Sequence, residues 1–129
     1  MSGRFLLDTN IIIALLNGDA AVTRQFQDDP EAYLPVIAVG ELYFGARRSS
    51  RVESNVLRLE GLIKATAVLG CDRVTAEFYG RIKSLLRQKG RPLPENDLWI
   101  AAISQQHELT LITRDQHFHE IEDLAINTW

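Results

Sequence analysis

The chain has one cysteine, Cys71, in 129 residues, so no disulfide can form within it and no thiolate zinc site can be assembled from it alone. Cys71 itself reads as a small, half-buried residue following a strand. Proline is scarce, at four residues. No Pro-, Gly- or Ser-rich stretch marks a linker, and no internal repeat, low-complexity segment or glycine-rich phosphate loop is present. No apolar run approaches the roughly 20 residues needed to cross a bilayer. The short apolar run after Met1-Ser2-Gly3-Arg4 lacks the core of a signal peptide, so a cytoplasmic protein with no membrane partner is expected. Neither sign of charge dominates: the formal net charge is -3, with 24% charged residues. That weakens the case for a generic nucleic-acid binder, because phosphate contacts draw on Lys and Arg. The basic residues are nevertheless clustered, with Arg47, Arg48 and Arg51 in one group and Arg81, Lys83, Arg87, Lys89 and Arg91 in another. Solvated helix faces are the commoner explanation of such groups.

What is there suits one folded unit. A hydrophobic fraction of 46% is ordinary for a globular protein, and a chain of this size buries roughly two thirds of the surface exposed when unfolded. We expect a single domain over residues 1–129. Short β-branched runs alternate with longer helical patterns. Arg4 to Asp8, Ala32 to Val36, Ala65 to Leu69, Leu109 to Thr113 and Leu124 to Asn127 read as strands. Helices are expected from Asn10 to Asn17, from Asp19 to about Asp29, from Ile37 to Arg48, from Ser50 to about Lys64, from Asp72 or Thr75 to Gly90, from about Glu95, and briefly over Gln116 to Ile121. Gly18 and Gly90 suit left-handed helix ends, and Ser50-Arg51-Val52-Glu53 fits a capping box. The alternation predicts an α/β three-layer sandwich, helices flanking a mostly parallel central sheet.

In such a sheet ligands gather beyond the carboxyl ends of the strands. Asp8 ends the first strand, and Asp115 follows the strand Leu109 to Thr113. Either carboxylate could simply cap a helix. Thr9 and Asn10 can also serve as caps, which would leave Asp8 free. Glu41 lies on a helix beside Ile37, Ala38, Phe44 and Gly45, an apolar or small-residue face. A carboxylate buried there costs several kcal/mol unless a cation, an Arg such as Arg47 or Arg48, or hydrogen-bond donors compensate. Asp97 begins a helix, where its charge suits the dipole, and its neighbours Ile100 and Ala101 place it on the inward stripe. Four acids gathered in one pocket would repel one another and need a cation. Oxygen-only ligation selects Mg²⁺ or Mn²⁺ over zinc. His107, His117 and His119 offer a rival His-x-His pair, but no third ligand stands at a suitable spacing, and surface or packing roles are expected for them.

The segments Asp8-Thr9-Asn10, Glu41-Leu42-Tyr43-Phe44-Gly45, Pro94 to Ala102 and Thr113-Arg114-Asp115-Gln116-His117-Phe118, in this order and spacing, resemble the PIN-domain ribonucleases. The resemblance is to the VapC-type toxins of bacterial toxin-antitoxin pairs in particular. Gly45 to Arg51 and Tyr79-Gly80-Arg81-Ile82 look like the subgroup that includes initiator-tRNA-cleaving toxins. The resemblance implies Asp8, Glu41, Asp97 and Asp115 as a metal-binding acidic quartet supported by Asn10 and Thr113. It also implies Mg²⁺- or Mn²⁺-dependent RNA cleavage by metal-activated water, homodimerisation, and neutralisation by a small VapB-like antitoxin. Ala38 and Gly40 stand where relatives often carry Ser or Thr near the glutamate. Arg47, Arg48, Arg51 and Arg114 are the candidates for phosphate contacts. The alternative is a regulatory α/β module whose acidic pocket binds Mg²⁺ without nuclease chemistry. A receiver would want adjacent acids after the first strand and a Lys near the last, which Asp8-Thr9-Asn10 and Arg114 fit poorly. An Asp-x-Asp-x-Thr phosphatase would need an acid where Asn10 stands.

Overall fold

The computed structural model describes residues 3–28 and 31–129. The expected end of the second helix at Asp29, before Pro30, lies outside them. In chain order the elements are β1 (Phe5–Leu7), α1 (Thr9–Leu16), α2 (Ala20–Asp28), β2 (Ala32–Pro35), α3 (Val36–Arg47), α4 (Val52–Ala65), β3 (Ala67–Leu69), α5 (Arg73–Lys89), α6 (Glu95–Gln106), β4 (Thr110–Ile112), a 3₁₀ turn (Gln116–Glu120) and β5 (Ile126–Asn127).

The five strands form one sheet in the order β3-β2-β1-β4-β5, and every pairing is parallel. The mostly parallel sandwich expected from the sequence is therefore the observed fold, with the sheet entirely parallel. β1 is central, and Leu6 and Leu7 are both fully buried, as a strand covered on both faces requires. From β1 the chain builds β2 and β3 to one side, then returns to place β4 and β5 on the other. Between β1 and β4 the winding reverses, which opens a crevice beyond their carboxyl ends. The register sets Leu7 beside Ile112, and the Asp8 amide donates to the Ile112 carbonyl at 2.9 Å. Asp8 and Thr113 thus leave the sheet together, at that crevice.

Helix α6 runs through the core. Leu98, Ile100, Ala101, Ala102 and Ile103 are all buried, so the helix is apolar on most of its circumference. Its buried Ser104 hydroxyl donates to the Leu109 carbonyl at 2.9 Å, satisfying the turn into β4. Helix α5 packs along α6 and begins with a capping box in which Asp72 accepts from the Thr75 amide at 3.0 Å and the Asp72 amide donates to the Thr75 hydroxyl at 2.9 Å. It ends at Gly90, whose φ of 69° is a left-handed conformation that favours glycine.

Local expectations fail at α4, at β3 and at Cys71. The capping box at Ser50 to Glu53 does not form: α4 starts after Arg51 with no side-chain cap. Instead Asn55 donates to the Ser49 hydroxyl at 2.9 Å. Helix α4 runs on to Ala65, so β3 is confined to Ala67–Leu69. Cys71 is exposed rather than half-buried, because it follows an edge strand whose Ala67 and Val68 are themselves exposed.

Phe118, on the 3₁₀ turn, is fully buried. Replacing it by Ala removes an aromatic ring from a close-packed core, and Phe118→Ala is expected to cost about 3–5 kcal/mol. Urea unfolding checks this through the transition midpoint; a loss below about 1 kcal/mol would mean that the turn does not close the core.

Candidate active site

Asp8 is 4% exposed and caps α1 itself. Its Oδ1 accepts from the Thr9 amide at 2.8 Å. Its Oδ2 accepts from the Thr113 hydroxyl at 2.7 Å and from Asn10 Nδ2 at 3.3 Å. The expectation that Thr9 or Asn10 would take over capping is thus corrected: the first free amide of α1 points at the nearer carboxylate. Burial pushes the Asp8 pKa above the ordinary carboxylate value; the bonds from Thr113 and Thr9 oppose that, and the charges of Asp115 and Glu41 add to it.

Glu41 stands where expected but not for the expected reason. It is exposed, as are Gly40, Phe44 and Gly45 around it, so the apolar face of α3 does not bury it there and the desolvation argument does not apply. Phe44 is 62% exposed. Among the described residues Glu41 pairs with no Arg. It is fixed by Thr9, whose hydroxyl donates to Glu41 Oε1 at 2.7 Å. Thr9 thus supplies the hydroxyl that Ala38 and Gly40 lack. The signal for this was in plain sight, a hydroxyl residue beside the strand-end acid, read only as a cap.

Asp97, in the first turn of α6, is half-buried and makes no side-chain hydrogen bond among the described residues. Its pKa is pushed up to about 6, first by burial and then by the charges of Asp8, Asp115 and Glu41, with His117 acting in the opposite sense. The influence of all three other acids on this one carboxyl places the four in a common field. Asp115 caps the 3₁₀ turn: its Oδ1 accepts from the His117 amide at 2.9 Å and lies 2.8 Å from His117 Nδ1. Its own amide donates to the Thr113 hydroxyl at 3.0 Å.

The quartet comes from the end of β1, the middle of α3, the start of α6 and the loop after β4, which helps explain why no compact motif announces it. Its donors are all carboxylate oxygens, the set that hard divalent cations take. Among the described residues no three or more His, Cys, Asp or Glu side chains stand close enough together to hold a metal ion as they are. The donors fit such an ion in kind, and an added cation would relieve the mutual repulsion of the four acids.

Of the remaining candidates, Asn10 is placed as a brace: its Oδ1 accepts from the Arg114 amide at 3.3 Å, tying α1 to the loop after β4. Arg114 is engaged elsewhere. Its guanidinium pairs with Asp19 at 3.2 Å and donates to the Trp129 carbonyl at 3.1 Å, which turns an expected phosphate contact into a clamp on the start of α2. Arg47, Arg48 and Arg51 are exposed, with Arg48 lying 5.3 Å from the centroid of the Phe44 ring. His107 is half-buried and His119 is exposed, in keeping with surface or packing roles; His117, also exposed, is the one His that meets the quartet.

Thr113, 3% exposed, joins the two strand ends by accepting from one and donating to the other. Thr113→Val keeps the shape and removes both bonds, and a loss of roughly 10–100-fold in cleavage rate at limiting metal is expected. Thr113→Ser should stay close to wild type; equal rates for all three proteins would rule out this bracing.

The sequence pattern of the PIN domain matches residues 5–124. Ribonuclease VapC1 of Haemophilus influenzae strain R2866 is 31% identical over 130 residues, covering 97% of each chain. The tRNA(fMet)-specific endonuclease VapC of Shigella flexneri is 30% identical over 129 residues, covering 98% of each. Among solved structures, the DNA-bound VapBC of Salmonella typhimurium superposes with a TM-score of 0.93 at 29% identity, covering 98% of both chains. VapBC-1 of nontypeable Haemophilus influenzae superposes with a TM-score of 0.86 at 32% identity, covering 100% of this chain and 98% of that one. With its acids at the β1/β4 crevice and its likeness running the length of the chain, this protein belongs to the PIN-domain family, in the branch of the VapC ribonucleases.

Proposed function

We propose that the chain is a metal-dependent endoribonuclease, the toxin of a toxin-antitoxin pair, acting as one nuclease domain over residues 1–129. The observation that carries the reading is the mutual influence of Asp8, Glu41, Asp97 and Asp115 outside the carboxyl ends of β1 and β4, where the Asp97 pKa is pushed up to about 6, first by burial and then by the charges of the other three. Asp8 and Asp97, with Glu41 and Asp115, would hold the cation. When bound, Mg²⁺ or Mn²⁺ supplies the positive charge that promotes attack of water on a phosphodiester and offsets the charge developing at phosphorus. The protein's own part is positional: Thr113 and Thr9 aim Asp8 and Glu41, and Asn10 holds the two strand-end loops together. No side-chain nucleophile is needed, since Cys71 is exposed and beside Asp72, with its thiol pKa raised by burial and by that charge. Exposed Arg47, Arg48 and Arg51 are the groups available to RNA phosphates.

The names of the relatives guide the choice of partners. VapBC pairs among the solved structures support a small antitoxin as the cognate partner, and the Shigella relative makes initiator tRNA the first RNA to test. Homodimerisation and a cytoplasmic location complete the reading; among the described residues no helix is long and apolar enough to cross a membrane. The test is 5′-end mapping of cellular RNA after brief induction of the wild type and of Asp97→Asn. New 5′-phosphate ends at defined positions, present only with the wild type, are expected. The same ends with both proteins, or none with either, would reject it.

A further inference from the structure

We propose that His117 is a positioning residue for Asp115, holding one carboxylate oxygen so that the other is presented to the divalent cation; this rests on the metal-dependent reading above. Asp115 Oδ1 receives the His117 amide at 2.9 Å and lies 2.8 Å from His117 Nδ1. A carboxylate oxygen accepts, so the His117 Nδ1 that faces it is the protonated, donating nitrogen of the ring. Two donors from one residue therefore converge on one oxygen. On the other side the Asp115 amide donates to the Thr113 hydroxyl at 3.0 Å, and that hydroxyl donates to Asp8 Oδ2 at 2.7 Å. The aspartate is held from both directions, by a chain of bonds that ends on the neighbouring acid.

The contact is specific. His119, two residues further along the same 3₁₀ turn, is also exposed and makes no hydrogen bond or ion pair among the described residues. The His117 ring is 79% exposed, so burial does not hold it in place; its one polar partner is Asp115. Removing the ring leaves the backbone bond and the turn intact, but frees the carboxylate to rotate. Hydrogen bonds that orient metal-binding side chains typically contribute 10–100-fold in metal affinity.

The probe is Mn²⁺ alone, titrated calorimetrically into the full chain, followed by Mn²⁺-activation curves for RNA cleavage. His117→Ala should bind Mn²⁺ roughly 10–100-fold more weakly, with cleavage largely restored at high Mn²⁺. His117→Asn places Nδ2 where Nδ1 stood, so its affinity should remain within about threefold of wild type. Three results would overturn the proposal: His117→Ala binding Mn²⁺ like wild type, His117→Asn falling as far as His117→Ala, or lost cleavage with unchanged affinity. Absence of RNA cleavage by the wild type, with Mn²⁺ affinities in the expected order, would instead reject the nuclease reading and leave this one standing.

Discussion

Asp8→Asn is expected to lower Mg²⁺-supported RNA cleavage by roughly 10³-fold or more, while the purified protein folds as well as wild type. The size follows from what Asp8 is. It is the most buried acid of the quartet, and both its oxygens are acceptors, for the Thr9 amide, the Thr113 hydroxyl and Asn10 Nδ2. An amide in its place removes a full negative charge, and one of its two ends becomes a donor facing donors. A metal centre supplies several kcal/mol of charge stabilisation, and about 4 kcal/mol corresponds to a thousandfold in rate. Stability should move little, because relief of the burial cost and of the charges of Asp115 and Glu41 offsets the donor left facing donors. Single-turnover cleavage of a defined RNA, with thermal unfolding on the same sample, makes the comparison. Cleavage within tenfold of wild type would remove Asp8 from the site.

Asp97→Asn should separate stability from activity through pH. The folded-state pKa of Asp97, about 6, stands above the ordinary carboxylate value of 3.8. The folded protein thus holds this proton more tightly than the unfolded chain, and the ionised form weakens the fold. The weakening is complete above pH 6 and disappears as pH falls towards 4. Because the group is half exposed, we discount the full linkage value to about 1 kcal/mol. In metal-free buffer at pH 7.5 the variant should therefore melt a few degrees above wild type, by roughly 3–5 °C for a domain of this size. That advantage should fade by pH 4. Divalent metal reverses the order: at about 100 times its Kd a ligand adds roughly 2.7 kcal/mol to the folded state. Wild type at pH 7.5 should gain that and the variant much less. A metal-free variant no more stable than wild type at pH 7.5 would mean that neither burial nor the neighbouring acids raise the Asp97 pKa.

Three of the four candidate acids stand out in the sequence because they sit at the edges of strong patterns. Asp8 interrupts two apolar runs, Asp115 follows a β-branched strand, and Asp97 opens a helix whose inward stripe is unmistakable. Glu41 was located through the wrong physics. An apolar neighbourhood in sequence implies burial only if another element covers it, and nothing covers Phe44 or Gly45 among the described residues. The helix starts show the same limit: Asp72 and Thr75 form the box that Ser50 and Glu53 do not, since a cap depends on how the preceding chain enters the helix. The role of Arg114 was beyond reach for a related reason, since its partners Asp19 and Trp129 are brought beside it only by the sheet order. What local patterns carry is the identity of the elements; what they omit is which surfaces meet.

The central pairing of β1 with β4 has a consequence for synthesis. The bond from Thr113 to Asp8 joins residues 105 positions apart, with β2, β3 and most of the helices lying between them in the chain. A ribosome releasing this chain exposes Asp8 105 residues before Thr113. Since long-range pairings form only after the intervening chain is available, no nascent fragment ending before the loop can assemble the quartet. The topology that makes the crevice also delays its completion until the loop after β4 has emerged, so no shorter nascent chain brings Asp8 and Thr113 together.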